Sequence, residues 1–264
     1  MIMTKGKKSR SEDARGSGAR TIVLLRCIAE GEPEFTLSAI SQKLKLAPST
    51  AHRLLRALTT TGLVERTPAQ TYRIGSEFFR IAALVAGKFE IGRMARPYLQ
   101  ELWKLSQETC AFGVYQPSGQ SVMIAEVIHT SFPLRYVIER LTTLSLAWGS
   151  LGRSILAHLP DSEFEAAYAT ASTGPLSGRP LPSRQELRVA LAEIRKRGYA
   201  VYEDRAHVDV AGIAAPVFNA GGEVVGALGV MMPLSRFEKY PLAKLSAAVV
   251  SQAQMMSKTL GFAS

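Results

Sequence analysis

Residues 48–61, PSTAHRLLRALTTT, restrict the fold more than any other stretch of the chain. Pro48 suits the first turn of a helix, where its missing N–H costs nothing. At helical spacing Ala51, Leu54, Leu55 and Leu58 fall on one apolar stripe. Ser49, Arg53, Arg56 and Thr60 occupy the opposite face, with Thr50 and His52 at its flanks and no acidic residue among them. An ordinary amphipathic helix mixes both signs on its wet face. A helix that enters a DNA groove needs hydrogen-bond donors there and no carboxylate to repel phosphate.

The neighbouring residues complete a recognisable unit. Residues 20–30 and 36–44 have helical apolar spacing, the first ended by Gly31-Glu32-Pro33. After Gly62, residues 63–67 and 71–74 flank Pro68-Ala69-Gln70, which predicts a two-stranded ribbon. Three helices and a hairpin make a winged helix-turn-helix over 19–75. Arg66 and Arg73 on the wing become candidates for backbone or minor-groove contacts. Charge agrees with this placement. Thirteen Lys+Arg stand against six Asp+Glu in residues 1–75, and nineteen against sixteen in residues 76–264. A basic first third ahead of a near-neutral remainder suits a nucleic-acid reader joined to a second domain. Residues 1–18 read as a disordered basic arm.

Residues 76–91 predict a linker helix, followed by a longer helix over 91–108 with Leu99, Leu102 and Leu105 facing inward. From Cys110 the periodicity changes to alternation. Strands are expected at 110–115 and 121–127 around a turn at 117–120, then at 135–138, 199–203, 212–218 and 223–231. Helices are expected at 151–159, 161–170, 184–197 and 241–260. An antiparallel sheet with helices makes residues 92–264 a second, α+β domain.

Several function classes find no support. Gly149-Ser150-Leu151-Gly152 lacks the first glycine of a nucleophile elbow. There is no His-Glu-x-x-His and no phosphate loop. His52, His129, His158 and His207 are scattered, so no metal and no cofactor is expected. Cys27 and Cys110 lie in apolar stretches and read as buried small hydrophobes in a reducing, cytoplasmic protein. No apolar run reaches the ~18–20 residues that span a bilayer.

Four stretches together resemble the IclR family of bacterial transcriptional regulators, from Arg20 to Gly261: KLKLAPSTAHRLLRAL (43–58), TGLVERTPAQTYRIG (61–75), SLAWGSLGRSILAHL (145–159), and IRKRGYAVY with GIAAPVFNAGGEVVGALGVMMP (194–233). The resemblance implies a homodimer or homotetramer that binds double-stranded operator DNA, and a GAF-like C-terminal domain that binds a small organic effector. It places an effector cup at Ser150, Leu151, Tyr202, Gly212, Gly229 and Met231, with Trp148 beside it and Asp209 in a partly kept acidic pattern. Lys45 stands where the family usually has a glycine, at a strain cost of up to ~1–2 kcal/mol if its backbone is left-handed. Gly212, Gly229 and Met231 replace a cysteine and two serines frequent in the family. Fewer donors and more room predict an apolar or aromatic acid as effector. A regulator with no effector, and an enzyme on a GAF-like fold, are the alternatives.

Overall fold

The structure, a computed structural model, describes residues 17–87, 90–171, 173–174, 178–204 and 209–263. The basic arm falls almost wholly outside these residues, as does His207; Ser17 and Gly18 begin the first helix. The chain divides into two compact units at Phe89/Glu90.

The first unit runs α1 (Ser17–Ala29), β1 (Glu34–Phe35), α2 (Leu37–Lys43), α3 (Pro48–Thr60), β2 (Val64–Arg66), β3 (Tyr72–Ile74) and α4 (Ser76–Gly87). Its core holds Leu24, Ile28 and Ile40 against Leu54, Leu55 and Leu58 of α3, with Val64 and Tyr72 of the wing. The expected ribbon has a third strand. β1 pairs with β3, Glu34 opposite Arg73, in the order β1-β3-β2. Thr36 caps α2 by accepting a hydrogen bond from the Ala39 amide at 3.1 Å.

The turn from α2 to α3 explains how Lys45 is accommodated. Its φ is +51°. The Leu46 amide donates to Ser41 O at 2.9 Å and the Lys45 amide to Gln42 O at 3.2 Å. These bonds form a Schellman motif with Lys45 at the left-handed position, where glycine is usual. Leu46 packs on the core from the next position. Lys45→Gly is therefore expected to stabilise the unit by about 1 kcal/mol, read as a rise in the midpoint of thermal unfolding.

The second unit contains α5 (Glu90–Ser106), β4 (Thr109–Gln116), β5 (Ser121–Ile128), β6 (Thr143–Ser145), α6 (Gly149–Leu156), α7 (Asp161–Thr170) and α8 (Arg184–Arg197). It continues with β7 (Ala200–Asp204), β8 (Val210–Phe218), β9 (Val224–Pro233), α9 (Leu234–Phe237) and α10 (Leu242–Thr259). Six antiparallel strands lie in the order β6-β5-β4-β9-β8-β7. α6 packs over β8 and β9 with α8 against it, while α5 and α10 pack together across the sheet. Two expectations are corrected. Residues 135–138 form no strand; the edge of the sheet is β6, with Ser145 opposite Ser121. Leu105 is 39% exposed, whereas Leu99 and Leu102 are buried.

Cys27 and Cys110 are both buried and free. Desolvation pushes the Cys110 thiol up to about 12, so it remains protonated and unreactive near neutral pH. Among the described residues no helix is long and apolar enough to cross a membrane.

Candidate nucleic-acid interface and effector cavity

α3 buries Ala51, Leu54, Leu55 and Leu58, the expected stripe. Ser49, His52, Arg53 and Arg56 are exposed and Thr50 is half-buried. Among the described residues, the side chains of Arg53 and Arg56 make no hydrogen bond or ion pair. Thr60 Oγ1 donates to Arg56 O at 3.0 Å, turning that hydroxyl back onto its own helix. The exposed face of α3 therefore offers two uncommitted guanidinium groups and no carboxylate.

The wing arginines differ from each other. Arg73 Nε and Nη2 both donate to Glu65 Oε2, at 3.1 and 3.0 Å, across the β2–β3 pair. Arg66 is exposed, with its guanidinium 6.0 Å from the centre of the Tyr72 ring. Arg73 is thus partly neutralised by a cross-strand carboxylate, a pairing that reading each strand alone could not reveal.

In the second unit a cavity of about 460 Å³ opens beside the start of α6. Trp148, Gly149, Ser150, Leu151 and Gly152 form one wall, Tyr202, Gly212 and Met231 another, and the segment 136–145 a third. Six of the eight residues expected at the effector cup meet here: Trp148, Ser150, Leu151, Tyr202, Gly212 and Met231. The other two do not line it. Gly229 lies under α6, where an added Cβ would stand 2.8 Å from Ile213 O and 3.1 Å from Leu151 Cδ2. Its lack of a side chain seats the helix. Asp209 is exposed at a φ of +47°, and its carbonyl accepts the Leu234 amide at 3.0 Å. Tyr136, Val137, Ile138 and Leu144 line the wall without having been singled out in the sequence. Tyr136, Val137 and Ile138 belong to the irregular segment that replaced the expected strand, and Leu144 to β6.

Two aromatic rings of the wall lie near one half-buried cation. Arg153 places its guanidinium carbon 5.7 Å from the Trp148 ring centre and 5.6 Å from that of Tyr202. Its Nε donates to Ala147 O at 3.0 Å. Desolvation pulls its pKa below the usual arginine value, and Arg153 is nevertheless charged at neutral pH. Burial and the nearby Tyr202 raise the Tyr136 phenol, keeping it neutral. Among the described residues, the lining contains one acid, Glu139, and no lysine, arginine or histidine.

Comparison with known proteins decides the family. The profile described as bacterial transcriptional regulator IclR C-terminal matches residues 83–258, and the IclR helix-turn-helix domain matches residues 17–68. This chain belongs to the IclR family. The glycerol operon regulatory protein of Streptomyces griseus is 31% identical over 92% of this chain and 95% of its own length. A crystal structure of an IclR transcriptional regulator from Silicibacter sp. superposes with a TM-score of 0.78 at 25% identity, covering 94% of this chain and 97% of that one. An IclR homolog from Microbacterium hydrocarbonoxydans, complexed with 4-hydroxybenzoate, shares the fold at a TM-score of 0.74 and 20% identity, covering 93% of this chain and 99% of that one. This IclR-family protein is accordingly a DNA-binding transcriptional regulator and not an enzyme. Its two-domain α+β architecture, with a helix-turn-helix before an antiparallel sheet and helices, is that of the family.

Proposed function

We propose that the protein is an operator-binding regulator whose DNA affinity is set by a small apolar or aromatic acid held in the cavity beside α6. The wall of that cavity carries the reading. Trp148, Tyr136, Tyr202, Leu144, Leu151 and Met231 give it an apolar and aromatic surface. The first turn of α6 supplies backbone N–H groups and a positive dipole end for a carboxylate. No lysine or arginine among the described lining residues competes for that role. A monocyclic aromatic acid, of the kind bound by the Microbacterium homolog, suits a space of this size. Ser150 adds a hydroxyl at the helix start. Asp209 and Gly229 act outside the cup, one at a turn and the other in seating α6.

In this reading α3 enters the major groove of double-stranded DNA. Arg53 and Arg56 meet base edges, Ser49, Thr50 and His52 fix register on the backbone, and Arg66 reaches from the wing. Arg73 holds the wing through Glu65. Ile22 and Val23 on α1, and Phe79, Ile81 and Leu84 on α4, leave exposed apolar side chains that a second copy of the first unit would cover. A homodimer, or a tetramer built from it, would read half-sites one helical turn or a multiple apart. The expected location is the cytoplasm, where operator and effector meet.

Effector and DNA are coupled only if the effector binds the two DNA states unequally. Titration calorimetry with benzoate and glyoxylate, followed by operator binding in fluorescence anisotropy, tests both parts. Tighter binding of benzoate with a shift in operator affinity supports the proposal. Tighter glyoxylate binding refutes the aromatic preference, and no binding by either acid leaves a regulator without this effector. Arg153→Met should weaken benzoate binding about tenfold by releasing the two rings it orients, with operator affinity in the absence of effector unchanged.

A further inference from the structure

A second cavity, of about 210 Å³, lies at the opposite end of β8 from Gly212. It forms where the sheet edge is open. β7 stops pairing at Ala200 opposite Ala214, so Ala215–Phe218 continue beyond the last partner on that side. Pro216 stands in this stretch, where the N–H it lacks has no ladder partner to lose. His158, just past α6, closes one side, and Val250, Ala253, Ser257 and Lys258 of α10 close the other.

The interior has a definite chemistry. Phe218 and Phe262 stack with ring centres 5.1 Å apart at 29°, and His158 meets Phe218 edge-on at 5.1 Å and 87°. His158 Nε2 is buried without a hydrogen-bond partner. Such an atom costs stability unless something else satisfies it. Ser257 Oγ is already engaged, donating to Ala253 O at 2.7 Å and accepting from the Phe218 amide at 3.0 Å. Lys258 is exposed at the rim with no acidic partner among the described residues, and no carboxylate lines the cavity. Arg195, whose Nη1 donates to Ala157 O at 3.0 Å, adds positive charge next to His158. A cavity of ~150 Å³ lined by apolar groups is enough for benzene.

We infer that this cavity is a second small-molecule site, distinct from the one beside α6, that takes a monocyclic aromatic carboxylate. Its ring lies against the phenyl bed of Phe218 and Phe262. Its carboxylate is held by the Lys258 ammonium and accepts a hydrogen bond from His158 Nε2–H. The inference stands independently of what the first cavity binds.

Methyl-labelled full-length protein titrated with benzoate tests it. Ala253 and Val250 methyls report on this cavity, and Leu151 and Met231 methyls on the other. The expected result is a shift of Ala253 and Val250 with its own saturation curve. Lys258→Glu should weaken that curve by at least about tenfold, the worth of one charge-assisted hydrogen bond, and leave the Leu151 and Met231 response as in the wild type. His158→Phe, which keeps the aromatic edge and removes the nitrogen, should weaken the same curve alone. Unmoved Ala253 and Val250 methyls overturn the inference. So does a response that follows the Met231 curve and ignores both substitutions. Shifts that depend on protein concentration without benzoate would also overturn it, because a second copy of the chain would then be the occupant. Silence at Leu151 and Met231 with a response at Ala253 would instead count against the effector proposal alone.

Discussion

Alanine at Arg53 or Arg56 should each lower operator affinity by roughly 1–3 kcal/mol, about fivefold to more than a hundredfold, if that arginine reads a base edge. Both side chains are exposed on α3 and make no hydrogen bond or ion pair among the described residues. Their removal therefore breaks no hydrogen bond or ion pair among the described residues, and the stability should stay within about 0.5 kcal/mol of the wild type. Fluorescence anisotropy against the operator and a shuffled duplex separates two roles. A loss confined to the operator assigns a base contact. An equal loss on both, with a shallower salt dependence, assigns a phosphate contact. No loss on either would remove the arginine from the interface.

The second large effect is expected from Gly152→Ala. A Cβ at this position would stand 2.2 Å from Ser145 O and 2.9 Å from Leu146 O, both backbone atoms that cannot swing aside. The first turn of α6 would have to lift off the segment leading from β6, and that turn and β6 itself line the cavity beside α6. The cost is about 2–4 kcal/mol, or roughly 10 °C in the melting of a unit of this size. Benzoate binding should fall with it. Because the first unit has its own core, the fold of the helix-turn-helix should survive. An unchanged melting curve together with unchanged benzoate binding would show that α6 is not held this closely.

What the sequence made legible follows the strength of its periodicity. α3 could be drawn residue by residue because a single helix carried apolar, small and cationic side chains at regular spacing. β8 and β9 were found through their long apolar runs and the Asn219–Gly222 turn between them. β1 was not, because two residues cannot display alternation; Glu34–Phe35 become a strand only when β3 is placed beside them. Tyr136-Val137-Ile138 have the composition of a strand, yet β5 takes Thr143–Ser145 as its partner. The displaced segment instead brings Tyr136 and Ile138 to the cavity. Leu105 follows Leu99 and Leu102 at three-residue steps, which drift about 120° around α5 from Leu99 and off its buried face; Ser106, seven residues after Leu99, is buried instead. The site shows the same division. The cup positions came from the family resemblance, and six of the eight, Ser150 among them, line the cavity. Gly229 and Arg73 depend on what lies across a sheet: a leucine of α6 for one and a glutamate on the adjacent strand for the other.

The cavity beside α6 is lined by the first turn of that helix, which includes Gly149 and Gly152, and by the larger residues Leu144, Leu151, Tyr202 and Met231. Point mutation can exchange Leu144, Leu151, Tyr202 or Met231, but it cannot delete an amide of the first helical turn. Where those amides hold a carboxylate as proposed, ligand preference could drift from one acid to another by single steps, each intermediate still gripping the shared group. Regulation can in this way pass to a new metabolite without ever going through a protein that senses nothing.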